Sequence, residues 1–107
     1  MGDLDVPRLL AMWYIYIIRC DDNTLYTGIT TNVKRRFYEH ERGGTRGAKY
    51  LRGRGPLELV TQIEVGNRRQ AARLEHYIKT LPKSEKEQLI NCPSALLTLS
   101  ETMEEKK

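Results

Sequence analysis

The sequence lacks a long hydrophobic run, and this absence excludes a membrane-spanning helix. Its longest apolar run, from Leu9 to Ile18, has ten residues, whereas a helix that crosses a bilayer needs roughly 20. No basic segment precedes a hydrophobic core of the signal-peptide type, so secretion loses support as well. We therefore expect a cytoplasmic protein that makes no membrane contact.

Cysteine is also scarce. The chain has two cysteines, Cys20 and Cys92. This number is too small for a disulfide framework or for a zinc site with four cysteine ligands. We expect both thiols to be reduced, as is usual in the cytoplasm.

Glycine and proline are too few for a collagen-like or low-complexity chain, because the 107 residues include 8 glycines and 4 prolines. With 39% hydrophobic and 30% charged residues, the composition is that of an ordinary globular protein, and the length fits one domain. We place this domain at residues 12–91, between an N-terminal appendage of residues 1–11 and a C-terminal tail of residues 92–107. Met12, just before the first strand signal, is a candidate for the original start.

Acidic residues are scarce in one part of the chain. Between residues 34 and 54, eight basic residues stand against Glu39 and Glu41, whereas the whole chain has a net charge of +4. Such a concentration is typical of proteins that bind a polyanion, most often nucleic acid, and a solvated basic loop is the alternative. The basic residues are Lys34, Arg35, Arg36, Arg42, Arg46, Lys49, Arg52 and Arg54.

Three segments have the pattern of β-strands. Residues 13–20 are dense in β-branched and aromatic side chains, and the turn-forming sequence at 21–23 separates them from residues 24–29, which predicts a β-hairpin. Apolar and polar residues alternate over 57–65, which predicts a third, half-buried strand.

Three further segments have the pattern of helices. Good N-cap residues precede a helix from 33 to about 42, which two glycines end. Apolar residues at helical spacing predict a second helix over 68–81, and residues 83–90 favour a short third one. We treat the glycine-rich stretch 43–56 as a loop.

The predicted element order is therefore ββαβαα. A tight hairpin followed by interleaved helices indicates an α/β protein of the α+β type, with a small three-stranded, mainly antiparallel sheet flanked by helices. After residue 92 we expect an apolar patch and a polar tail, whose final residues should be mobile.

Two tyrosines of the predicted hairpin are the first candidates for a functional site. Tyr16 and Tyr26 lie on consecutive strands, where neighbouring β-carbons are about 5 Å apart, so the two side chains could share a site. Tyr16 has a simpler explanation, because alternation along the strand groups Tyr14, Tyr16 and Ile18 on a face that could belong to the core. Gly28, on the face of Tyr26, would admit a ligand or another backbone, or mark a bulge.

Two helices carry the other candidates. Arg36 and His40 are four residues apart and project from one helix face, where they combine a fixed cation with a group that titrates near neutral pH. Glu75 lies one step from the apolar stripe of the second helix, where a carboxylate can face a cleft. The simpler explanations are a solvated helix surface for Arg36 and His40, and an ordinary helix ion pair with Lys79 for Glu75.

Taken in order, these residues resemble the GIY-YIG nuclease superfamily. The tripeptide Tyr14-Ile15-Tyr16 is similar to the GIY motif and Tyr26-Thr27-Gly28 to the YIG motif. The resemblance extends over residues 13–90. The sequence departs from the motifs at Tyr14, in place of glycine, and at Thr27, in place of isoleucine, but neither position supplies a functional group in the family. The residues that the resemblance implies to be catalytic are Tyr16, Tyr26, Arg36, His40 and Glu75.

The resemblance implies a metal-dependent DNA endonuclease that hydrolyses phosphodiester bonds. Glu75 would bind Mg²⁺ or Mn²⁺, for which a single carboxylate is chemically sufficient, and Arg36 would stabilise charge on the phosphoryl oxygens. We favour Tyr16 as the general base, with a pKa lowered by Arg36 and a metal-bound phosphate, but Tyr26 and His40 remain alternatives. The family also has a polar residue beyond the glutamate, which corresponds to Glu87 or Asn91.

Residues 46–55 most resemble the small stand-alone bacterial branch of the superfamily. The substrate is expected to be DNA, whether single-stranded, branched or duplex, with RNA as an alternative, and a protein partner could supply specificity. The other function classes are a non-catalytic nucleic-acid-binding module and an adaptor for another nuclease. The residues expected to contact nucleic acid are Lys34, Arg35, Arg46, Lys49, Arg52 and Arg54.

Overall fold

A three-stranded antiparallel sheet lies at the centre of the computed structural model, which describes residues 11–44 and 46–105. The strands are β1 (Trp13–Arg19), β2 (Leu25–Thr30) and β3 (Glu58–Gly66). The helices are α1 (Val33–Arg42), α2 (Arg68–Thr80), α3 (Lys83–Asn91) and α4 (Pro93–Glu105). Strand β1 is central, with β2 and β3 on either side, which confirms the predicted fold class.

The element order is ββαβααα, so the predicted order lacked one helix. Much of the stretch that we had assigned to a polar tail belongs to α4, in which Leu96 is fully buried and Leu99 and Met103 pack against the same core cluster. These residues recur at helical spacing, and burial of this stripe outweighs the polar composition of the helix. Residues 1–10 and 106–107, on which our expectations for the appendage and the mobile end fall, lie outside the described residues.

Both faces of the sheet are covered. On one face, Ile15 and Ile17 pack against α2 and α4. On the other face, Tyr16 and Ile18 pack in a cluster with Val33 of α1. This division follows the alternation predicted for β1, and it makes Tyr16 a part of the core as well as a candidate for the site.

Local side-chain hydrogen bonds fix the ends of the elements near the site. In the turn between β1 and β2, Asp22 Oδ1 accepts hydrogen bonds from the backbone N–H and the hydroxyl of Thr24, at 3.1 and 2.6 Å. The Asn32 side chain accepts a hydrogen bond from the Arg35 N–H at 3.0 Å and begins α1. The helix ends at Gly43, whose φ of 71° suits glycine.

The glycine-rich stretch 43–56, here called the basic loop, is more ordered than we predicted. It contains a short 3₁₀ helix at Lys49–Leu51, and Leu51 is buried in the cluster around Tyr16. This buried leucine anchors the basic loop on the sheet face that carries Tyr16.

Candidate active site

Tyr16 occupies a slot that exists because residue 28 is glycine. The two residues are paired across β1 and β2, and a β-carbon added at Gly28 would lie only 2.6 Å from Tyr16 Cζ. The Tyr16 ring therefore fills the space for which we considered a ligand or a bulge. Its side chain is almost completely buried.

We expect Gly28→Ala to displace the Tyr16 ring and to destabilise the protein by about 1–3 kcal/mol, as overpacking usually does. Urea unfolding measures this effect. Gly55→Ala is the matched control, because the nearest atom to its added β-carbon is Leu57 N at 3.9 Å. Equal stability of the two variants would show that the ring moves without loss of packing.

Four rings lie together and form what we call the aromatic cluster: those of Tyr16, Tyr26, His40 and Tyr50. Tyr26 and His40 lie with their ring centroids 6.4 and 5.9 Å from that of Tyr16, and 5.5 Å from each other. Tyr50 of the basic loop stacks on Tyr26 at 5.9 Å. The structure thus brings together the two motif tyrosines and the α1 histidine, as the sequence predicted.

The hydrogen bonds of His40 define its protonation state. The backbone N–H of Ala48 donates to Nδ1 at 3.1 Å, so this nitrogen carries no proton. The neutral ring must then carry its proton on Nε2, which lies 2.9 Å from the Tyr16 hydroxyl oxygen and donates to it. Burial, followed by the nearby charge of Arg36, lowers the pKa of His40 to about 4. His40 is therefore a neutral hydrogen-bond donor at neutral pH.

This burial predicts an acid-dependent loss of stability. Between pH 6.5, the ordinary His40 pKa, and pH 4, the unfolded chain binds a proton that the folded protein excludes, so stability falls as the pH is lowered. We expect a loss of roughly 2–3 kcal/mol over this range, measured by urea unfolding. His40→Gln should abolish most of it, whereas His76→Gln, at an exposed position, should retain it. An unchanged pH dependence in His40→Gln would contradict the assignment.

Tyr16 is protonated at neutral pH in the free protein, and the lowered pKa that we expect depends on a metal-bound phosphate as well as on Arg36. Burial raises the pKa of Tyr16 well above its ordinary value, and the neighbouring Tyr26 and Glu75 raise it further. Arg36 acts in the opposite direction through its charge and a hydrogen bond, but its effect is smaller. Arg36 acts through a side-chain hydrogen bond as well as through its charge, so it lies within reach of the Tyr16 hydroxyl, whereas Glu75 acts through its charge alone.

Arg36 lies between the aromatic cluster and the basic loop. Its Nη1 donates to Glu39 Oε1 at 2.9 Å and to the backbone oxygen of Arg46. The Arg36 side chain is about two-thirds buried, which reduces screening of its charge by water. These bonds hold the cation next to Tyr16, so the solvated helix surface that we considered for Arg36 and His40 does not describe them.

Glu75 approaches the site from α2, which packs against β1 and β2. Its side chain is 21% exposed and pairs with Lys79, an exposed residue, at 3.2 Å. Glu75 therefore makes the ordinary helix ion pair that we considered. Its role in the site stays a prediction. An exposed pair of this kind contributes about 0–1 kcal/mol, so a divalent cation can compete with Lys79.

Comparison with known proteins agrees with this geometry. The GIY-YIG catalytic-domain family matches residues 12–88. The chain belongs to the GIY-YIG family. A UPF0213 protein of Cronobacter sakazakii is 56% identical over 78 residues, which cover 73% of this chain and 80% of that protein. A UPF0213 protein of Vibrio cholerae is 51% identical over 87 residues, which cover 80% of this chain and 84% of that protein.

One solved structure has a fold similar to that of this chain. The solution NMR structure of the E. faecalis protein EF2693 aligns with a TM-score of 0.53 at 33% identity, over 75% of this chain and 83% of that chain. The small UPF0213 relatives agree with the predicted stand-alone branch of the GIY-YIG family. A GIY-YIG domain is a nuclease domain, which indicates a hydrolase that binds nucleic acid and generally uses a divalent metal.

The GIY-YIG site contains a limited set of metal donors. Within residues 11–44 and 46–105, no three His, Cys, Asp or Glu side chains are grouped closely enough to hold an ion alone. Mg²⁺ usually keeps several waters and binds one or two carboxylates together with substrate phosphates. The partly exposed carboxylate of Glu75 fits this mode of binding, and it does not fit a site built only from protein ligands.

Glu87 belongs to a structural ion pair rather than to the GIY-YIG site. Arg19 donates to both of its carboxylate oxygens at 2.7 Å, and Lys83 adds a third bond at 2.9 Å. The hydrogen bonds from Arg19, followed by that from Lys83, lower the pKa of Glu87 to about 2. Arg19 shares the sheet face of Ile17, opposite to Tyr16, so of the two alternatives Asn91 alone stays a prediction.

The side chains of two arginines in the basic loop are hydrogen-bonded to other residues of the protein. Arg54 donates to Asp22 Oδ2 at 2.6 Å and to the Tyr50 carbonyl at 2.8 Å, and its Cζ lies 4.3 Å from the centre of the Tyr50 ring. Arg52 donates to the Gly44 carbonyl at 3.0 Å. Asp22 is a supporting residue that we missed, because the turn sequence shows no sign of a partner 32 residues away.

The other predicted nucleic-acid contacts remain on the surface. Their side chains are exposed on α1 or in the basic loop, next to the GIY-YIG site. These residues are Lys34, Arg35, Arg46 and Lys49. Among the described residues, no helix combines the length and hydrophobicity needed to cross a membrane.

Proposed function

We propose that the protein is a metal-dependent endonuclease that hydrolyses phosphodiester bonds in DNA. The observation that carries this proposal is the Tyr16 hydroxyl, which accepts a hydrogen bond from the His40 N–H in the aromatic cluster and interacts with the Arg36 guanidinium, in a chain of the GIY-YIG family. In this proposal Glu75 of α2 supplies the carboxylate. A proton donor or acceptor, a fixed cation and a carboxylate are the groups that phosphodiester hydrolysis uses.

Arg36 is proposed to stabilise the negative charge that develops on the phosphoryl oxygens. Its planar guanidinium offers several N–H donors, and its bonds to Glu39 and the Arg46 carbonyl hold it in place before the substrate arrives. Such preorganisation avoids reorganisation during the reaction.

Tyr16 is proposed as the general base that accepts a proton from the attacking water. His40 cannot readily do so in this geometry, because Nδ1 is bonded to Ala48 and Nε2 carries a proton. The His40 N–H and Arg36 both favour the ionised Tyr16, whereas Glu75 opposes it. Neutralisation of the Glu75 charge therefore favours proton loss from Tyr16. Tyr26 lies beside the base and would position the water.

Glu75 would hold Mg²⁺ or Mn²⁺, which would act as a Lewis acid on the scissile phosphate and its leaving oxygen. The ion pair with Lys79 gives the carboxylate a cationic partner before the metal binds. Lys79 is about half exposed, so it can turn into solvent when the metal takes its place.

The test is a cleavage assay on a labelled panel of single-stranded, duplex and branched DNA together with RNA. We expect purified protein to cut at least one DNA with Mg²⁺ or Mn²⁺ and none with EDTA. Cleavage that continues in EDTA would overturn the metal requirement. Tight binding without cleavage under every metal condition would instead establish a non-catalytic binding module.

The basic loop gives a further prediction, because its cations have different partners. Lys49→Gln should make the negative slope of log K against log salt less steep by about 0.9 on duplex DNA, as expected when one phosphate contact is lost. Arg54→Gln should change this slope less but should lower turnover at saturating DNA, because it releases Tyr50 from Tyr26. If the slope becomes less steep by the same amount in both variants, and turnover of Arg54→Gln is normal, Arg54 is a phosphate contact.

A further inference from the structure

A second concave surface lies on the outer side of α1, next to the proposed active site. Its volume is about 450 Å³, which is within the usual range for small-ligand sites. The residues that line it, here called the arginine pocket, are Arg35, Tyr38, Glu39, Arg42, Gly43 and Arg46. Tyr38 and Arg42 have no role in the site described above.

The arginine pocket is positively charged. Arg35, Arg42 and Arg46 are exposed and stand against a single carboxylate, that of Glu39. Glu39 is bonded to Arg36, outside the pocket, at 2.9 Å, so its charge is already compensated. Arginine forks match phosphate oxygens in geometry and charge, which makes a phosphate the expected anion.

The pocket also presents an aromatic ring. Tyr38 is 55% exposed, the highest value among the large hydrophobic side chains in the described part of the chain. Arg42 Nη1 donates to its hydroxyl at 2.8 Å and holds the ring from that end. An exposed aromatic ring beside arginines is the combination on which proteins stack unpaired bases. The exposed tyrosine of the basic loop, Tyr50, is instead stacked on Tyr26.

Arg36 connects the arginine pocket to the proposed active site. Arg36 Nη1 bonds Glu39 and the Arg46 carbonyl, which both belong to the pocket. Arg36 also lies one turn of α1 before His40, whose Nε2 bonds the Tyr16 hydroxyl. A nucleic-acid strand with its reacting phosphate at Arg36 would therefore pass directly over the arginine pocket.

We propose that the arginine pocket binds one unpaired nucleotide adjacent to the scissile phosphate, with the base stacked on Tyr38 and the phosphate held by Arg35, Arg42 and Arg46. This proposal deepens the nuclease function and relies on it for the position of the scissile phosphate. The nucleotide is unpaired because a base inside a duplex has both faces covered by its neighbours and offers none to Tyr38.

The experiment measures binding in EDTA, so that its outcome does not depend on cleavage. The probes are a single-stranded oligonucleotide labelled for anisotropy, the same strand with 2-aminopurine at successive positions, and the matching duplex. We expect Tyr38→Leu to weaken single-strand binding about tenfold, within the range of one lost base stack, and to remove the quenching of 2-aminopurine at one position. Tyr38→Phe, which keeps the ring, and Tyr77→Leu, a similarly exposed tyrosine on α2, should stay within about twofold.

Equal single-strand affinity of Tyr38→Leu and the wild type would overturn the pocket. A tenfold loss on both single strand and duplex would also overturn it, because it would indicate phosphate contacts without base stacking. The nuclease function has a separate readout: a protein with the Tyr38 effect that cuts no DNA with any metal retains the pocket and loses the nuclease proposal. If the protein cuts DNA but Tyr38→Leu binds single strands as the wild type does, the nuclease proposal is retained and the pocket is lost.

Discussion

Replacement of Glu75 by glutamine is expected to abolish metal-dependent DNA cleavage while the protein stays folded. The substitution keeps the size and hydrogen-bonding capacity of the side chain but removes the charge that Mg²⁺ requires. Because Glu75 contributes one exposed ion pair, with Lys79, we expect the free energy of unfolding to change by no more than about 0.5–1 kcal/mol. Single-turnover cleavage with Mg²⁺, together with urea unfolding, measures both effects.

The matched control is Glu85→Gln, which removes a carboxylate from an exposed position on α3. It should cut DNA at the wild-type rate. If Glu75→Gln also cuts at that rate in Mg²⁺, the metal role of Glu75 is wrong. DNA affinity in EDTA should be unchanged or slightly increased in Glu75→Gln, since a negative charge near the phosphate is lost.

Arg36→Ala is expected to lower the rate of cleavage at saturating DNA by about 10²–10³, the usual effect of removing one preorganised donor to a developing charge. The loss should exceed any loss of affinity, because the contact is strongest in the transition state. Arg36→Lys should recover only part of the rate, since an ammonium cannot bond Glu39, the Arg46 carbonyl and a phosphoryl oxygen with the same planar geometry.

Glu41→Ala controls for disturbance of α1, because Glu41 is exposed on the same helix. It should cut at the wild-type rate. An Arg36→Ala enzyme that binds DNA much more weakly but turns over normally at saturation would show that Arg36 docks the substrate. The pH dependence of the rate then separates the roles further. Loss of Arg36 should raise the pKa of Tyr16, so that the rise of the rate with pH, which reports ionisation of the general base, moves to higher pH.

Much of the fold could be predicted because local patterns were strong. The aromatic and β-branched run of β1, the turn at Asp22 and the caps at Asn32 and Gly43 each have a local physical cause. Helix α4 was missed because its stripe of buried residues, including Leu96, is short and lies among polar residues. Its stability depends on packing against the core more than on helix propensity.

The candidate site could be predicted as a set of residues but not as a chemical environment. The motif spacing identified Tyr16, Tyr26 and Arg36, and the structure places them together. Arg54 was predicted as a phosphate contact from its charge alone, yet it bonds Asp22 across the surface. The sequence shows which residues are charged, but it does not show whether another residue of the folded protein already pairs with that charge.

By itself, the sequence determined the order of strands and helices through β3 and α3, and the side chains available for catalysis. Those features depend on neighbours a few residues away, whose spacing is visible in the chain. Only the tertiary structure decided the protonation of Tyr16 and His40, which are 24 residues apart and hydrogen-bonded. Ionisation depends on burial and on charges at close range, and the fold sets both by bringing distant residues together.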